Sequence, residues 1–227
     1  MKFGALISSG IDSKVSTYIL SKKADELILL HADNRPFTDD REIEKFITLA
    51  KYLKTLVPSK LTALLVPHGL SLEAYKIHCN NKYTCVVCKR MMLRYAEAIA
   101  QKEHADAIVM GDSLGQVASQ TLQNLRVVEQ AVSIPILRPL IGFDKEDTIK
   151  IAKQIGTFDF SIAPAGGCAA VPTKPSTQAR LEHILMLFPV EDVCFGGFGM
   201  SIFDEDFFDS ILDLFNARYS TAFELFF

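Results

Sequence analysis

Leu6-Ile7-Ser8-Ser9-Gly10-Ile11-Asp12-Ser13-Lys14 is the stretch on which the reading of this chain turns. The apolar run before it, residues 3–7, predicts a buried β-strand, and residues 15–20 after it predict the start of a helix. A strand that turns through small residues into a helix leaves backbone N–H groups aimed at one point, with the positive helix end behind them. That arrangement binds an anion, most often phosphate. The same strand–loop–helix is ordinary punctuation in α/β proteins, so the rest of the chain has to decide between the two.

Strand and helix signals alternate from here to residue 155. Expected strands cover 26–31, 62–66, 107–110 and 134–137. Expected helices run to about residue 22, then over 41–53, 70–78, 88–102, 117–130 and 145–155. Asp39 or Asp40 can cap the helix 41–53, whose Ile43, Phe46, Ile47, Ala50 and Leu53 recur at helical spacing. Such alternation predicts an α/β fold built on an open parallel sheet with helices on both faces. Right-handed crossovers place every loop at a strand's C-terminal end on one edge, where ligands of open sheets bind. Four stretches should meet there: the loop 8–13, His31-Ala32-Asp33, Pro67-His68, and the run 111–116 that opens on Gly111-Asp112-Ser113.

After residue 155 the pattern changes. Residues 157–177 are rich in Gly, Pro, Ala and Ser and carry Cys168; a long loop of this kind is usually functional. Residues 178–188 read as helical. The last forty residues hold ten of the sixteen phenylalanines, interleaved with Asp204, Glu205, Asp206, Asp209 and Asp213. This reads as an amphipathic helical extension laying its aromatics on the main body, with a homodimer or partner surface as the alternative. The expected division is a nucleotide-binding domain over 1–175 and a helical extension over 176–227.

The 227 residues suffice for a substantial core, and 49% apolar with 22% charged residues is an ordinary globular profile. The net charge of −3, without a long basic run, excludes a strongly basic RNA-gripping chain. Any nucleic acid would be held by a partner or by a local patch. With no leader visible after Met1-Lys2 and no membrane-length apolar run, the expectation is a cytoplasmic protein. The five cysteines, Cys79, Cys85, Cys88, Cys168 and Cys194, are an odd number that argues against a disulfide framework and leaves metal or redox chemistry. Cys79 and Cys194 read as small core residues.

The loop lacks the Gly-Lys-Ser/Thr ending of a Walker loop and the three-glycine spacing of a dinucleotide fold. It is similar to Ser-Gly-Gly-x-Asp-Ser, the PP-loop of ATP pyrophosphatases. Ser9 stands where that family has glycine, which its Cβ permits when φ is negative. Four further blocks follow in order: Cys88-Lys89-Arg90-Met91-Met92-Leu93-Arg94, then Met110 through Leu122, then Leu137-Arg138-Pro139-Leu140, then Asp144-Lys145. Over roughly residues 3–175 the chain resembles the catalytic domain of the tRNA 4-thiouridine synthase (ThiI) sulfurtransferase family.

That resemblance implies an adenine nucleotide alpha hydrolase-like (HUP) fold and an enzyme that adenylates a uridine carbonyl oxygen and replaces it with sulfur, using ATP and Mg²⁺. It implies ATP contacts from Ile7, Ser8, Ser9, Gly10, Asp12 and Ser13, from Leu30 and His31 through backbone, and from Lys89 or Arg90, Gly111 and Gln120. Asp12 would hold the metal or the loop, Arg94 would sit on a solvated helix face, and His68 reads as structural.

The RNA-binding (ferredoxin-like and THUMP) and rhodanese regions found in members of that family have no counterpart in these residues. tRNA is therefore expected to arrive through a separate partner, and the sulfur from sulfide or a persulfide carrier. Cys85-Val86-Val87-Cys88 is a lone close pair, and a four-cysteine zinc site would need another. With Cys168 as third ligand, the set suits a [4Fe–4S] cluster with one iron open. The alternatives are a persulfide on Cys168, as the catalytic cysteine, resolved by Cys85 and Cys88, and purely structural cysteines. A small-molecule acceptor, thiolated or amidated, and a non-catalytic ATP-binding subunit of a tRNA-modification complex are the rival functions.

Overall fold

The computed structural model describes residues 1–162 and 167–186. Five parallel strands form one sheet: β1 (Lys2–Ile7), β2 (Glu26–Asp33), β3 (Lys60–Pro67), β4 (Ala107–Val109) and β5 (Ile136–Leu137), in the order β3-β2-β1-β4-β5. In β2 the odd residues Leu27 and Leu29 join one core layer and the even residues Ile28 and Leu30 join the other, as the two-residue period of a strand requires. Both faces are therefore apolar, and helices cover both.

Helices α1 (Ile11–Ser21) and α2 (Asp40–Leu56) lie on one face with α6 (Lys145–Gln154). Phe46, Leu49 and Leu53 of α2 bury against Phe3, Ala5 and Ile7 of β1. Val15 of α1 meets Leu140 and Ala152. The other face carries α3 (Gly69–His78), α4 (Thr84–Lys102) and α5 (Leu122–Glu129), with Leu72, Tyr75, Met91, Leu93 and Val128 buried on Ile28, Leu30 and Ile108. Each such fully buried leucine contributes about 1.5–3 kcal/mol of transfer free energy.

The chain builds β1, β2 and β3 in one direction and then crosses back to add β4 and β5 on the other side of β1. The turns after β1 and β4 therefore flank the crevice where the winding reverses, the place where open α/β sheets take ligands. Asp39 caps α2 by accepting from the Arg41 N–H at 3.1 Å, as its position before the helix suggests.

Three expected boundaries move. Helix α4 begins at Thr84 rather than residue 88, because a 3₁₀ turn, Asn81–Tyr83, leads straight into it. The expected helix 117–130 is broken: Ala118–Gln120 form a 3₁₀ turn, and Thr121 is extended, its hydroxyl accepting from the Asn124 N–H at 3.3 Å. Threonine stabilises a helix start better than a helix interior. The glycine- and proline-rich segment contains a short helix, α7 (Phe158–Ile162).

The described part of the expected extension carries α8 (Leu181–Met186) and is joined to the main body. Ala179 and Ile184 lie in its core, and Asn124 donates to the Ser176 carbonyl at 2.7 Å while accepting from the Ala179 N–H at 2.8 Å. The phenylalanine-rich stretch expected to pack on the domain, with Cys194, lies outside the described residues. Among the described residues no helix is long and apolar enough to cross a membrane.

Candidate active site

The loop after β1 is folded on itself by two serines and a lysine. Ser13 Oγ accepts from the Ser8 N–H at 3.1 Å and sits 3.2 Å from Ser8 Oγ, which in turn accepts from the Gly10 N–H at 3.3 Å. Lys14 reaches back beneath the loop, donating to the Ser9 carbonyl at 2.7 Å, the Gly10 carbonyl at 2.9 Å and Ser161 Oγ at 2.9 Å. Its side chain is 1% exposed. Burial pushes its pKa down to about 8, with Lys45 adding repulsion and Glu42 and Asp12 opposing it.

No side chain caps α1, so the first N–H groups of that helix have no capping partner and can meet an anion. Among the described residues His104 is the one non-glycine with positive φ. Ser9 therefore occupies ordinary backbone space, and a Cβ in place of the family's glycine adds no strain there.

Gly111, directly after β4, closes on this loop. A Cβ at Gly111 would lie 2.5 Å from Ser13 N and 2.7 Å from Ser13 Cα, so only glycine lets the two turns meet. Its neighbour Asp112 is 3% exposed and binds two cations, Lys89 Nζ at 2.7 Å and Arg138 Nε at 3.2 Å. On the other flank, Lys145 Nζ holds both oxygens of Asp12, at 2.7 and 2.9 Å. His31 donates from Nδ1 to the Ile7 carbonyl at 2.9 Å and stacks on Phe46 at 4.7 Å. Burial lowers its pKa, which keeps the ring neutral.

Lys89 also leads to the cysteines. Cys85 and Cys88 lie three residues apart at the start of α4, on one helix face. Burial raises both thiol pKa values; Cys168 raises them further, and the Lys89 ammonium pulls them down. The three sulfurs and Lys89 thus share one electrostatic neighbourhood. Cys168 is placed by its loop, where the Ala169 N–H donates to the Phe37 carbonyl at 2.8 Å.

Cys88 Sγ lies 3.2 Å from Nε2 of His68. His68 is fully buried, edge-on to the rings of Tyr75 and Tyr95, and burial pushes its pKa down to about 4. The pair is therefore thiol and neutral imidazole rather than thiolate and imidazolium. The donor set has the chemistry of an iron–sulfur site, yet among the described residues no three His, Cys, Asp or Glu side chains are grouped so as to hold a metal ion. Cys79 is buried in the core with its thiol pushed up to about 12.

The structure brings together Ile7, Ser8, Ser9, Gly10, Asp12, Ser13, His31 and Gly111, with Lys89 one ion pair away. Leu30 is buried, leaving only its backbone to meet a ligand. Gln120 is buried with Oε1 unpartnered, in the turn whose carbonyl accepts from the Gly115 N–H at 2.9 Å.

Arg90 has a different partner in this structure. Its guanidinium is buried between helices and donates to the Val127 carbonyl, which locks α4 to α5. Arg94 is half-buried, its pKa lowered by desolvation, rather than on a solvated face. Sequence reading assigned no role to Lys14, Asp112, Arg138 or Lys145. The last three stand within the quoted blocks, and Lys14 directly follows the loop on the first turn of a helix whose next three residues are buried, which was the available signal.

A doubly wound parallel sheet, an uncapped helix behind a Ser-Ser-Gly-Ile-Asp-Ser turn and a glycine pressed on that turn define an adenine-nucleotide domain of the PP-loop ATPase class. The model of the family described as Thiamine biosynthesis protein (ThiI) matches residues 2–188, and the chain belongs to that family.

A probable tRNA sulfurtransferase of Methanothermobacter thermautotrophicus is 45% identical over 187 residues, covering 81% of this chain and 48% of the relative. One of Moorella thermoacetica is 41% identical over 181 residues, covering 79% and 46%. The chain thus spans about half the length of the curated relatives it matches. Among solved structures, a 4-thiouridine synthetase–RNA complex with bound ATP superposes with a TM-score of 0.78 at 33% identity, covering 82% of this chain and 49% of that one. An NMN synthetase from Francisella tularensis shares the fold, with a TM-score of 0.51 at 13% identity, covering 97% of this chain and 87% of that one.

Proposed function

We propose that the chain is the catalytic part of an ATP-dependent tRNA sulfurtransferase that converts a uridine carbonyl to a thiocarbonyl. The observation that carries this reading is the path from loop to thiols. Gly111 touches the phosphate turn, its neighbour Asp112 pairs with Lys89, and Lys89 faces Cys85 and Cys88.

In the first half-reaction the uridine oxygen attacks the α-phosphorus of ATP, the bond to the β-phosphate breaks, and pyrophosphate leaves. The N–H groups at the start of α1 would receive the charge that develops on pyrophosphate, while Lys14 holds the loop carbonyls away from it. Mg²⁺ fits as the companion of ATP phosphates with one protein carboxylate, Asp12, now paired to Lys145. In the second half-reaction sulfur adds to the activated carbon, the carbon–oxygen bond breaks, and AMP leaves. AMP is a far better leaving group than hydroxide.

The electrostatic neighbourhood that Cys85, Cys88 and Cys168 share supports an iron–sulfur cluster held by these three cysteines, which when bound would supply sulfide. That no three described ligand side chains are grouped to hold a metal ion favours a persulfide on Cys168 instead. Its outer sulfur would attack the carbon, and Cys85 or Cys88 would then cleave the sulfur–sulfur bond, leaving a cysteine disulfide that an external thiol reduces.

ATP–pyrophosphate exchange with and without tRNA, run on wild type and Cys168→Ser, tests the whole reading. Exchange is expected in both proteins and thiolation only in wild type. Tight ATP binding with no exchange for any acceptor would sink the enzymatic reading. Iron and sulfide analysis after anaerobic reconstitution separates cluster from persulfide.

A further inference from the structure

A groove of about 390 Å³ opens between segments adjoining those that carry Cys85 and Cys168, lined by Lys76, Asn81 and Lys82 on one wall and by residues 169–174, ending at Lys174, on the other. Three ammonium groups line it and no carboxylate does. None of the three lysines enters an ion pair among the described residues. In a chain of net charge −3 this is a local reversal of sign.

Two of the ammoniums are held over rings: Lys76 Nζ lies 5.1 Å from the Phe37 centroid and Lys82 Nζ 4.8 Å from that of Tyr83. The walls are tied together where the Ser176 N–H donates to the Lys82 carbonyl at 2.8 Å. The second wall is small and apolar over Ala169, Ala170, Val171 and Pro172. The volume falls in the range of ligand sites, and a row of cations without counter-charge suits a chain of phosphates better than a single carboxylate.

Its position gives it meaning. Lys82 precedes Cys85 by one helical turn, and Ala169 follows Cys168, so each wall of the groove runs directly into a cysteine segment. We propose that this groove binds the phosphate backbone of the acceptor RNA and delivers the target base to the thiols. The inference rests on the sulfurtransferase reading and adds to it a nucleic-acid contact made by this chain itself.

The test is tRNA binding by fluorescence anisotropy across a salt series, comparing the full chain with the triple variant K76Q/K82Q/K174Q. ATP affinity serves as the check that the variant is folded. Three phosphate contacts at about 0.7 released counterions each predict a loss of roughly 2 in the slope of log affinity against log salt. That slope corresponds to at least about tenfold weaker binding at low salt.

Equal affinity and slope in the two proteins overturn the groove while leaving tRNA thiolation intact. Wild type without measurable tRNA affinity also overturns it, and ATP–pyrophosphate exchange then reports separately on the adenylating reading. Unchanged tRNA binding with lost sulfur uptake from an acidic carrier protein assigns the groove to that carrier, and likewise overturns the proposal.

Discussion

Replacing Lys14 with methionine tests whether a buried ammonium shapes the phosphate loop. The variant keeps most of the unbranched apolar stem, one atom shorter, and removes the donors to the Ser9 and Gly10 carbonyls. Leaving a carbonyl without its donor costs about 1–3 kcal/mol when it is buried, and these two partly buried ones fall at the low end of that range. Against this, the buried ammonium itself is unfavourable. A pKa moved from 10.5 to about 8 corresponds to roughly 3 kcal/mol at about 1.36 kcal/mol per unit. The two effects nearly cancel at pH 7, so stability there is a poor readout and its pH dependence is a good one.

Because the folded pKa lies below the unfolded value, the unfolded chain binds the extra proton between pH 8 and 10.5. The cost of burying the charge is present below pH 8 and is relieved as pH rises. Between pH 7 and 9.5 wild type should gain about 2 kcal/mol relative to Lys14→Met, read from urea unfolding of both proteins at the two pH values. ATP affinity of the variant should fall at pH 7, since the carbonyls are released toward the phosphates. Parallel stability curves across that window would refute the claim that Lys14 is charged and buried beneath the loop.

Two further substitutions probe the edge between loop and thiols. Gly111→Ala drives a Cβ into the Ser13 backbone. It should cost about 1–3 kcal/mol in stability and at least about tenfold in ATP affinity by calorimetry, roughly 1.4 kcal/mol. Asp112→Asn strands two partly buried cations, Lys89 and Arg138. It should cost about 3 kcal/mol, a fall in Tm of roughly 6–12 °C for a chain of this size.

The sheet, its helices and the meeting of the loop with Gly111 were legible because alternation and crossover handedness determine which turns share an edge. The break at Thr121 was not, since the run 117–130 is continuous in apolar period and only a cap bond interrupts it. The PP-loop serines were readable as a motif. What holds them was not: Lys14 looks like any surface lysine until Ser161, far along the chain, closes over it. Arg90 and Lys89 are neighbours of one chemistry, and the 100° turn of a helix sends one into the interhelical core and the other to Asp112. Pattern alone could not choose between them.

The contact between His68 and Cys88 bears on how the protein survives between turnovers. With the imidazole held neutral and the thiol protonated, the pair holds no thiolate at neutral pH. Thiols in that state react slowly with peroxide and alkylating agents. Cys88 is thus kept as the thiol, the form that reacts more slowly with oxidants, and coordination to a metal would draw off its proton. Selectivity at this sulfur is a matter of timing as well as of place.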